Sequence, residues 1–273
     1  MIKALKARWF QKYRTIKYPM APPPPLPDRF RGAPVVQSHL CRQDCDACIQ
    51  ACPVQALERI PGSVAIQTDL GRCIFCGACE AACPSGAVFR DKDYRLSTDK
   101  RGDLMVSQER QLSPARGMAD DIHRILGRSL KLRQVSAGGC NACEADVNVL
   151  NTLAWDLGRF GIQFVASPRH ADGMLVTGPV TRNMASALKD TYDAIPTPKI
   201  VIVTGSCAIS GGLFRGHPEC NDGLHGIPVD LFIPGCPPHP LTILDGLLRL
   251  IRRLPAERPP DATREGGEVI GHQ

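Results

Sequence analysis

The sequence lacks any run of about 20 apolar residues, the length that a helix needs to cross a bilayer, so no segment is expected to span a membrane. The basic N-terminus has neither an apolar core with a small-residue cleavage site nor a twin-arginine pair, so we expect no export signal. Aromatic residues are sparse, at 5% of 273 residues. Although the formal net charge is +6, basic and aromatic residues are not interleaved beyond the first 15 residues, and we therefore expect no nucleic-acid partner.

Cysteine, by contrast, is abundant, with 13 in the chain. So many cysteines indicate either a disulfide framework or metal binding, and the missing secretory signal favours metal binding. We therefore expect a protein of the reducing cytoplasm whose cysteines hold metal.

One stretch organises the others: a C-x2-C-x2-C-x3-C-P run formed by Cys73, Cys76, Cys79, Cys83 and Pro84. This is the spacing by which bacterial ferredoxins hold 4Fe–4S clusters, with three thiolates on one cluster and the fourth on the other. A zinc site is the alternative, but it would need two pairs of ligands from separate loops.

A second cysteine run, also followed by proline, lies upstream and repeats the first. The offset is 31 residues for three pairs (76 and 45, 79 and 48, 83 and 52) and 32 for the fourth (73 and 41). The extra residue between Cys41 and Cys45 enlarges that loop, which a thiolate can still span. Cross-ligation predicts one 4Fe–4S cluster on Cys41, Cys45, Cys48 and Cys83, and a second on Cys52, Cys73, Cys76 and Cys79.

Composition divides the chain into five segments. Residues 1–35 join a basic arm, whose apolar residues recur at helical spacing, to a stiff proline-rich spacer. Such an arm suits either an anionic membrane interface or a partner subunit, and the sequence does not decide between them. The two-cluster domain occupies 36–92, and a linker at 93–130 is expected to run over the surface and end in a short helix. A second domain covers 131–254, and the tail at 255–273 is expected to be disordered or to lie along a partner.

In the second domain, short β-branched runs alternate with helical patterns, which is typical of a parallel sheet with helices on its faces. We predict a first strand near Leu132, further strands at 162–166, 174–177, 199–204 and 229–233, and helices at 144–157, 184–192 and 241–252. The predicted fold class is α/β plus a small α+β part: a ferredoxin-like double 4Fe–4S domain followed by a flavodoxin-like parallel-sheet domain.

Loops that follow these strands carry four more cysteines, at the strand ends where open α/β sheets bind ligands. They are Cys140, Cys143, Cys207 and Cys236. Converging on one crevice, they would hold a third 4Fe–4S cluster, although such spacing also suits zinc. Cys220 has no matching context and is expected to be a structural thiol. Glu144 and Asp146 are expected to stabilise the start of the following helix rather than to relay protons.

The two cysteine runs make residues 36–92 resemble the ferredoxin domains of redox complexes. The phrases GGCNACE, VTGPVT, TGSCAISGG and PGCPPHP, within 131–253, are similar to the 20-kDa iron–sulfur subunit of respiratory complex I. They are more similar to the small subunits of membrane-bound group 4 nickel–iron hydrogenases, because complex I subunits carry two adjacent cysteines where Cys140 and Cys143 are separated here. His239 and Leu241 also replace the arginine and glutamate usual in complex I. The resemblance implies that these four cysteines ligate the cluster nearest the catalytic or quinone site.

The resemblance further implies an electron-transfer subunit, not catalytic alone, of a formate-hydrogenlyase-like complex on the inner face of the cell membrane. Three 4Fe–4S clusters would relay electrons to or from a nickel–iron large subunit, beside membrane subunits and a donor such as a formate or carbon monoxide dehydrogenase. The alternative is a complex-I-like quinone oxidoreductase without nickel. A metal-stabilised assembly protein is a third hypothesis, which the ferredoxin spacing disfavours.

Overall fold

The computed structural model describes residues 2–42, 44–127 and 129–254. Its α-helices are α1 (Ile2–Gln11), α2 (Ala47–Gln50), α3 (Ala78–Ala81), α4 (Asp120–Leu126), α5 (Ala142–Val149), α6 (Arg182–Ala194), α7 (Ser206–Ser210) and α8 (Pro240–Leu250). Its strands are β1 (Ala33–Val36), β2 (Leu57–Arg59), β3 (Ile66–Asp69), β4 (Val88–Asp91), β5 (Met105–Val106), β6 (Leu130–Ser136), β7 (Ile162–Phe164), β8 (Gly173–Thr177), β9 (Ile200–Thr204) and β10 (Leu231–Ile233).

The half that carries the two cysteine runs contains two small antiparallel sheets. In one, β1 pairs with β4, and in the other β2, β3 and β5 lie side by side. Each cysteine run continues into a single helical turn, α2 or α3, as the internal repeat predicts. Strand β1 was not predicted, because it is only four residues long and contains Pro34; it begins at Ala33, three residues before the predicted start of the domain at residue 36.

The connection between the two halves is not a surface linker in its first part, and the expectation is wrong there. Leu96, Ser97, Thr98 and Leu104 are all buried. Thr98 exchanges two backbone hydrogen bonds with Phe232, at 3.0 and 2.8 Å, next to β10 of the second domain. The polar sequence suggested a surface linker. Ser97 and Thr98 nevertheless form hydrogen bonds inside the protein, and burying a polar group costs little when it has a hydrogen-bond partner.

The second half is built on a five-stranded parallel sheet, as predicted. Its spatial order is β10-β9-β8-β6-β7, which, read from β7 and numbered within the sheet, is 2-1-3-4-5, the order of flavodoxin-like doubly wound sheets. Strands β8 and β9 are buried on both faces, which explains their uninterrupted apolar sequences. Helix α8 covers one face, while α6 and α7 cover the other together with Leu70 and Leu104 from the first half.

The predicted helices of this half are present with different bounds. Helix α5 is shorter than the predicted 144–157, since the chain turns after Val149 and Leu157 donates its N–H back to the carbonyl of Leu150 at 3.0 Å. Helix α7 was not predicted, because five residues are too few to show a helical period.

The N-terminal arm forms the expected helix α1, in which every described residue is exposed. The chain after it is anchored to the second half. The N–H of Ile16 donates to Ala154 at 2.9 Å, and the hydroxyl of Tyr18 donates to the buried carboxylate of Asp245 at 2.8 Å. The chain therefore contacts the second half of the molecule at Ile16 and Tyr18, before the proline-rich segment begins. Among the described residues, no helix has the length and apolar character that crossing a bilayer requires.

Candidate metal centres

Twelve of the cysteines fall into three groups of four, which we name the outer, middle and inner groups. The outer group consists of Cys41, Cys45, Cys48 and Cys83. Burial raises the pKa of Cys41, and the negative charges that Cys83 and Cys45 would carry raise it further. Burial, then Cys41 and Cys83, raises the pKa of Cys48 in the same way. Cys83 differs: burial raises its pKa, but hydrogen bonds from Ser85 and neighbouring backbone N–H groups lower it by more. The fold therefore brings the last cysteine of the second run beside three from the first.

The middle group consists of Cys52, Cys73, Cys76 and Cys79, which line one pocket together. Burial is the main cause that raises the pKa of Cys73 to about 12 and that of Cys79 to about 11. Two sulfur atoms accept backbone hydrogen bonds: Cys73 from Phe75 at 3.3 Å and Cys52 from Ala56 at 3.2 Å. Such N–H···S bonds favour negative charge on sulfur, which partly offsets the cost of burial.

The inner group consists of Cys140, Cys143, Cys207 and Cys236, which follow the carboxyl ends of β6, β9 and β10. Cys140 and Cys236 lie in loops, whereas Cys143 lies in the first turn of α5 and Cys207 in α7. Burial raises the pKa of Cys143, and Cys207, Glu144, Cys236 and Cys140 raise it further. Burial, followed by Cys236 and Cys140, raises the pKa of Cys207 to about 11. Cys140 is the exposed member of the group, whereas the other three are half-buried.

Glycine lets the inner group assemble. Gly205 has a φ of +91°, and a Cβ there would lie 2.5 Å from the sulfur of Cys143. A Cβ on Gly212, whose φ is +55°, would lie 2.8 Å from the sulfur of Cys207. Real Cβ atoms do not approach sulfur so closely, so both positions require a residue without a side chain.

The donor chemistry of all three groups fits 4Fe–4S clusters. Each group presents four thiols, the ligand set of such clusters. The hydroxyl oxygen of Thr204, which lies at the end of β9 three residues before Cys207, is buried and has no hydrogen-bond partner among the described residues. In the part of the chain that the structure describes, no trio of His, Cys, Asp or Glu side chains converges tightly enough to hold a single metal ion.

The middle and inner groups meet at the contact between the two halves of the molecule. The hydroxyl of Ser206 donates to the carbonyl of Cys73 at 2.6 Å and to that of Gly235 at 3.0 Å. Ser206 precedes Cys207 and Gly235 precedes Cys236, so one buried hydroxyl connects three cysteine loops. Sequence reasoning missed this residue, since nothing in the GSC motif shows what its serine faces.

The remaining residues singled out in the sequence have structural roles or neighbours. Glu144 lies in the first turn of α5 as expected, but its carboxylate accepts hydrogen bonds from Ser136 at 2.6 Å and Thr177 at 2.7 Å, and so fastens α5 to the sheet. Asp146 and Cys236 line one pocket, which is not the pocket of the middle group, and burial raises the pKa of the Asp146 carboxyl group. Cys220 is a free, half-buried thiol, and its charge would raise the pKa of nearby Cys207. A structural role for Cys220 stays a prediction.

In the first half, each cysteine run contributes a thiol to the group formed by the other run. In the second half, cysteines follow the ends of parallel strands. This arrangement defines an iron–sulfur protein of the oxidoreductase class. Residues 40–87 match the 4Fe-4S dicluster domain. Residues 140–250 match the family described as NADH ubiquinone oxidoreductase, 20 Kd subunit. The chain belongs to this 20-kDa subunit family and carries a 4Fe–4S dicluster domain in front of it.

Individual relatives come from both hydrogenases and quinone oxidoreductases. The "Probable membrane-bound hydrogenase subunit mbhJ" of Pyrococcus furiosus is 42% identical over 52% of this chain and 88% of its own length. A subunit of the NADH-quinone oxidoreductase of Desulfovibrio desulfuricans is 43% identical over 41% of this chain and 61% of its own length. A chain in the solved structure of "the membrane-bound sulfane sulfur reductase (MBS), an archaeal respiratory membrane complex" is 34% identical, with a TM-score of 0.43 over 50% of this chain and 75% of that one.

Proposed function

We propose that this chain relays electrons through three 4Fe–4S clusters, one on each of the outer, middle and inner groups, to or from a nickel–iron catalytic subunit of a membrane-associated hydrogenase complex. The observation that carries the proposal is the serial placement of the three groups. When bound, each cluster would accept and release one electron, and the protein would supply its position and surroundings.

The outer and middle groups adjoin each other inside the ferredoxin-like domain. The charge that Cys48 of the outer group would carry raises the pKa of Cys79 of the middle group. Both thiols are buried, and both belong to one apolar cluster with Val36, Leu57 and Ile66. Water is thereby kept from the space between the two groups, which favours electron transfer over reaction with solvent.

The middle and inner groups adjoin each other across the contact between the two halves. Charge on Cys76 would raise the pKa of Cys236, after burial and Cys140. Ser206 connects the loops of both groups, and Ser210, one helical turn on, donates to the carbonyl of Gly71 at 2.9 Å. Ser206 thereby holds the loops of the two groups at a fixed separation, and Ser210 adds a second contact between the halves.

The exposed end of this series is Cys140, which we assign to the contact with the catalytic subunit. The exposed apolar side chains of Leu213 and Phe214, 59% and 42% accessible, follow the loop of Cys207 of the same group. Exposed apolar side chains that follow one of the proposed ligands suit a permanent partner subunit, because obligate interfaces are more hydrophobic than transient ones.

A hydrogenase-type partner is favoured over a quinone-binding one for two reasons. The C-x2-C spacing of Cys140 and Cys143 is hydrogenase-like, and the mbhJ relative matches over most of its length. The quinone oxidoreductase alternative is supported by the relatives from NADH-quinone oxidoreductases. A formate or carbon monoxide dehydrogenase would deliver electrons to the outer group.

Helix α1 would hold the complex to the inner face of the cell membrane. Trp9 and Phe10 are each 82% exposed, and every charged residue of the helix is basic. Amphipathic helices of this composition bind anionic lipid interfaces.

Metal analysis of the native complex tests the proposal. The complex would be purified anaerobically through a tag on this chain, and nickel and iron would be measured per mole. We expect about one nickel per complex, together with the iron of three clusters in this chain. An intact, iron-rich complex without nickel would contradict the hydrogenase assignment and leave the quinone oxidoreductase. A chain without cluster signals in electron paramagnetic resonance would contradict the relay itself.

A further inference from the structure

Arg59, at the end of β2, lies against the outer group. Its guanidinium donates to the carbonyl of Cys45 at 2.6 Å and to that of Val64 at 3.2 Å. The side chain is half-buried. It therefore fixes the loop that begins at Cys41 to the β2–β3 turn, and that loop is the one that carries an extra residue.

The internal repeat supplies a comparison within the same domain. An offset of 31 residues places Arg90 at the position equivalent to Arg59, and Glu80 at the position equivalent to Ile49. Arg90 forms an ion pair with Glu80 at 2.5 Å. Arg59 forms no ion pair with any carboxylate in the described part of the chain, since its equivalent neighbour is an isoleucine. Glu80 thus neutralises the charge of Arg90 in the second repeat, whereas no carboxylate of the described residues neutralises the charge of Arg59 in the first repeat.

We infer that Arg59 is a positioning residue that raises the reduction potential of the cluster held by the outer group. This inference rests on the proposed function, because it requires that cluster. Reduction adds one negative charge, and a fixed cation close by stabilises the reduced form.

Other charges near the outer group act more weakly. Arg42, Asp44 and Asp46 all belong to the cysteine loop, but their side chains are exposed, and water and salt screen exposed charges. Arg31 donates to the carbonyl of Cys76 in the middle group, the equivalent of Cys45, but it too is exposed. Burial therefore distinguishes Arg59 from the other arginines of the domain that carry no carboxylate partner.

A redox titration of the full chain, followed by electron paramagnetic resonance, tests the inference. The signal of the outer cluster is assigned as the one lost in Cys45→Ala. For Arg59→Gln we expect the ratio of reduced to oxidised outer cluster at a fixed poise to fall about tenfold, which for one electron is about 59 mV. The middle and inner signals should keep their potentials. Arg59→Lys, which retains the charge, should restore most of the loss.

Two further variants keep the test decisive. Arg42→Gln removes an exposed arginine one residue from Cys41, and we expect a much smaller shift than for Arg59→Gln. If Arg59→Gln fails to assemble the cluster, Arg59→His replaces it, because its positive charge disappears as the pH rises through about 6.5. The outer potential of that variant should fall with rising pH over this range, relative to the unsubstituted chain.

The possible failures are distinguishable. If the unsubstituted chain shows no outer cluster signal, the proposed function fails. If that signal is present and Arg59→Gln leaves its potential unchanged, or Arg59→Lys and Arg42→Gln shift it as far as Arg59→Gln does, then the charge of Arg59 does not tune the cluster and the inference is overturned. A pH-independent potential in Arg59→His would overturn it equally.

Discussion

Replacing Gly205 by alanine should remove the inner cluster and leave the other two intact. Gly205 has a φ of +91°, and a Cβ at this position would lie 2.5 Å from the sulfur of Cys143. The backbone strain of an alanine in this conformation costs about 1–2 kcal/mol. The contact adds to this, because ordinary carbon–sulfur contacts are about 1 Å longer, so the Cys143 side chain must move away from the position in which it faces the other three thiols.

The control is Gly216→Ala. Gly216 has a similar φ of +78°, but nothing lies within 4 Å of a Cβ built there. Both variants therefore carry the backbone strain, and only Gly205→Ala displaces a proposed ligand. Strain alone predicts equal losses of stability and no loss of iron in either variant.

Iron content and electron paramagnetic resonance of the anaerobically purified chain are the assay. We expect Gly205→Ala to lose about one third of its iron, since each of the three clusters holds four iron atoms. The signals of the outer and middle clusters should persist, and Gly216→Ala should keep all three. Full iron content in Gly205→Ala, with an unshifted inner signal, would refute the assignment of Cys143 as a ligand.

Two other predictions concern buried polar contacts. Ser206→Ala and Ser210→Ala each remove a buried hydrogen bond across the contact between the two halves, so each should destabilise the chain by about 1–3 kcal/mol in thermal unfolding. Only Ser206→Ala should also slow electron transfer between the middle and inner clusters after flash reduction; equal slowing in both would contradict a specific role for Ser206. Asp245→Asn removes the negative charge from the buried ion pair that Asp245 forms with Arg249, whose side chains are 1% and 4% exposed, and should cost about 3–5 kcal/mol. Asp193→Asn breaks an exposed ion pair and should cost less than about 1 kcal/mol, so similar losses in the two variants would contradict this reasoning.

The cysteine groups could be foreseen because their signal is local. Spacing within each run determines which thiols a single loop presents, and the repeat determines that Cys83 faces the first run. The parallel sheet could be foreseen for a related reason: β8 and β9 are buried on both faces and so read as uninterrupted apolar runs. Once the sheet is assigned, the placement of Cys207 and Cys236 at one edge follows.

Contacts between distant segments could not be foreseen. The burial of Thr98 depends on its pairing with Phe232, 134 residues further along the chain, and no local sequence pattern indicates such a partner. The docking of Tyr18 depends in the same way on Asp245. The contact of Arg59 could not be foreseen either, since a lone arginine at the end of a short strand is usually a solvated surface residue. Its role becomes visible only when the fold shows that its guanidinium meets Cys45.

The joining of both halves in one chain has a consequence for electron transfer. Paired backbone hydrogen bonds between Thr98 and Phe232, and the buried serines at 206 and 210, connect the halves at separate points. Leu70 and Leu104 also pack into the apolar core beside β8 and β9, so separating the halves would expose part of that core. In the proposed relay, tunnelling between the middle and inner clusters would therefore need no encounter or domain closure. The slow steps of this relay should accordingly lie at its two ends, where the outer group would meet a donor and Cys140 would meet the proposed catalytic subunit.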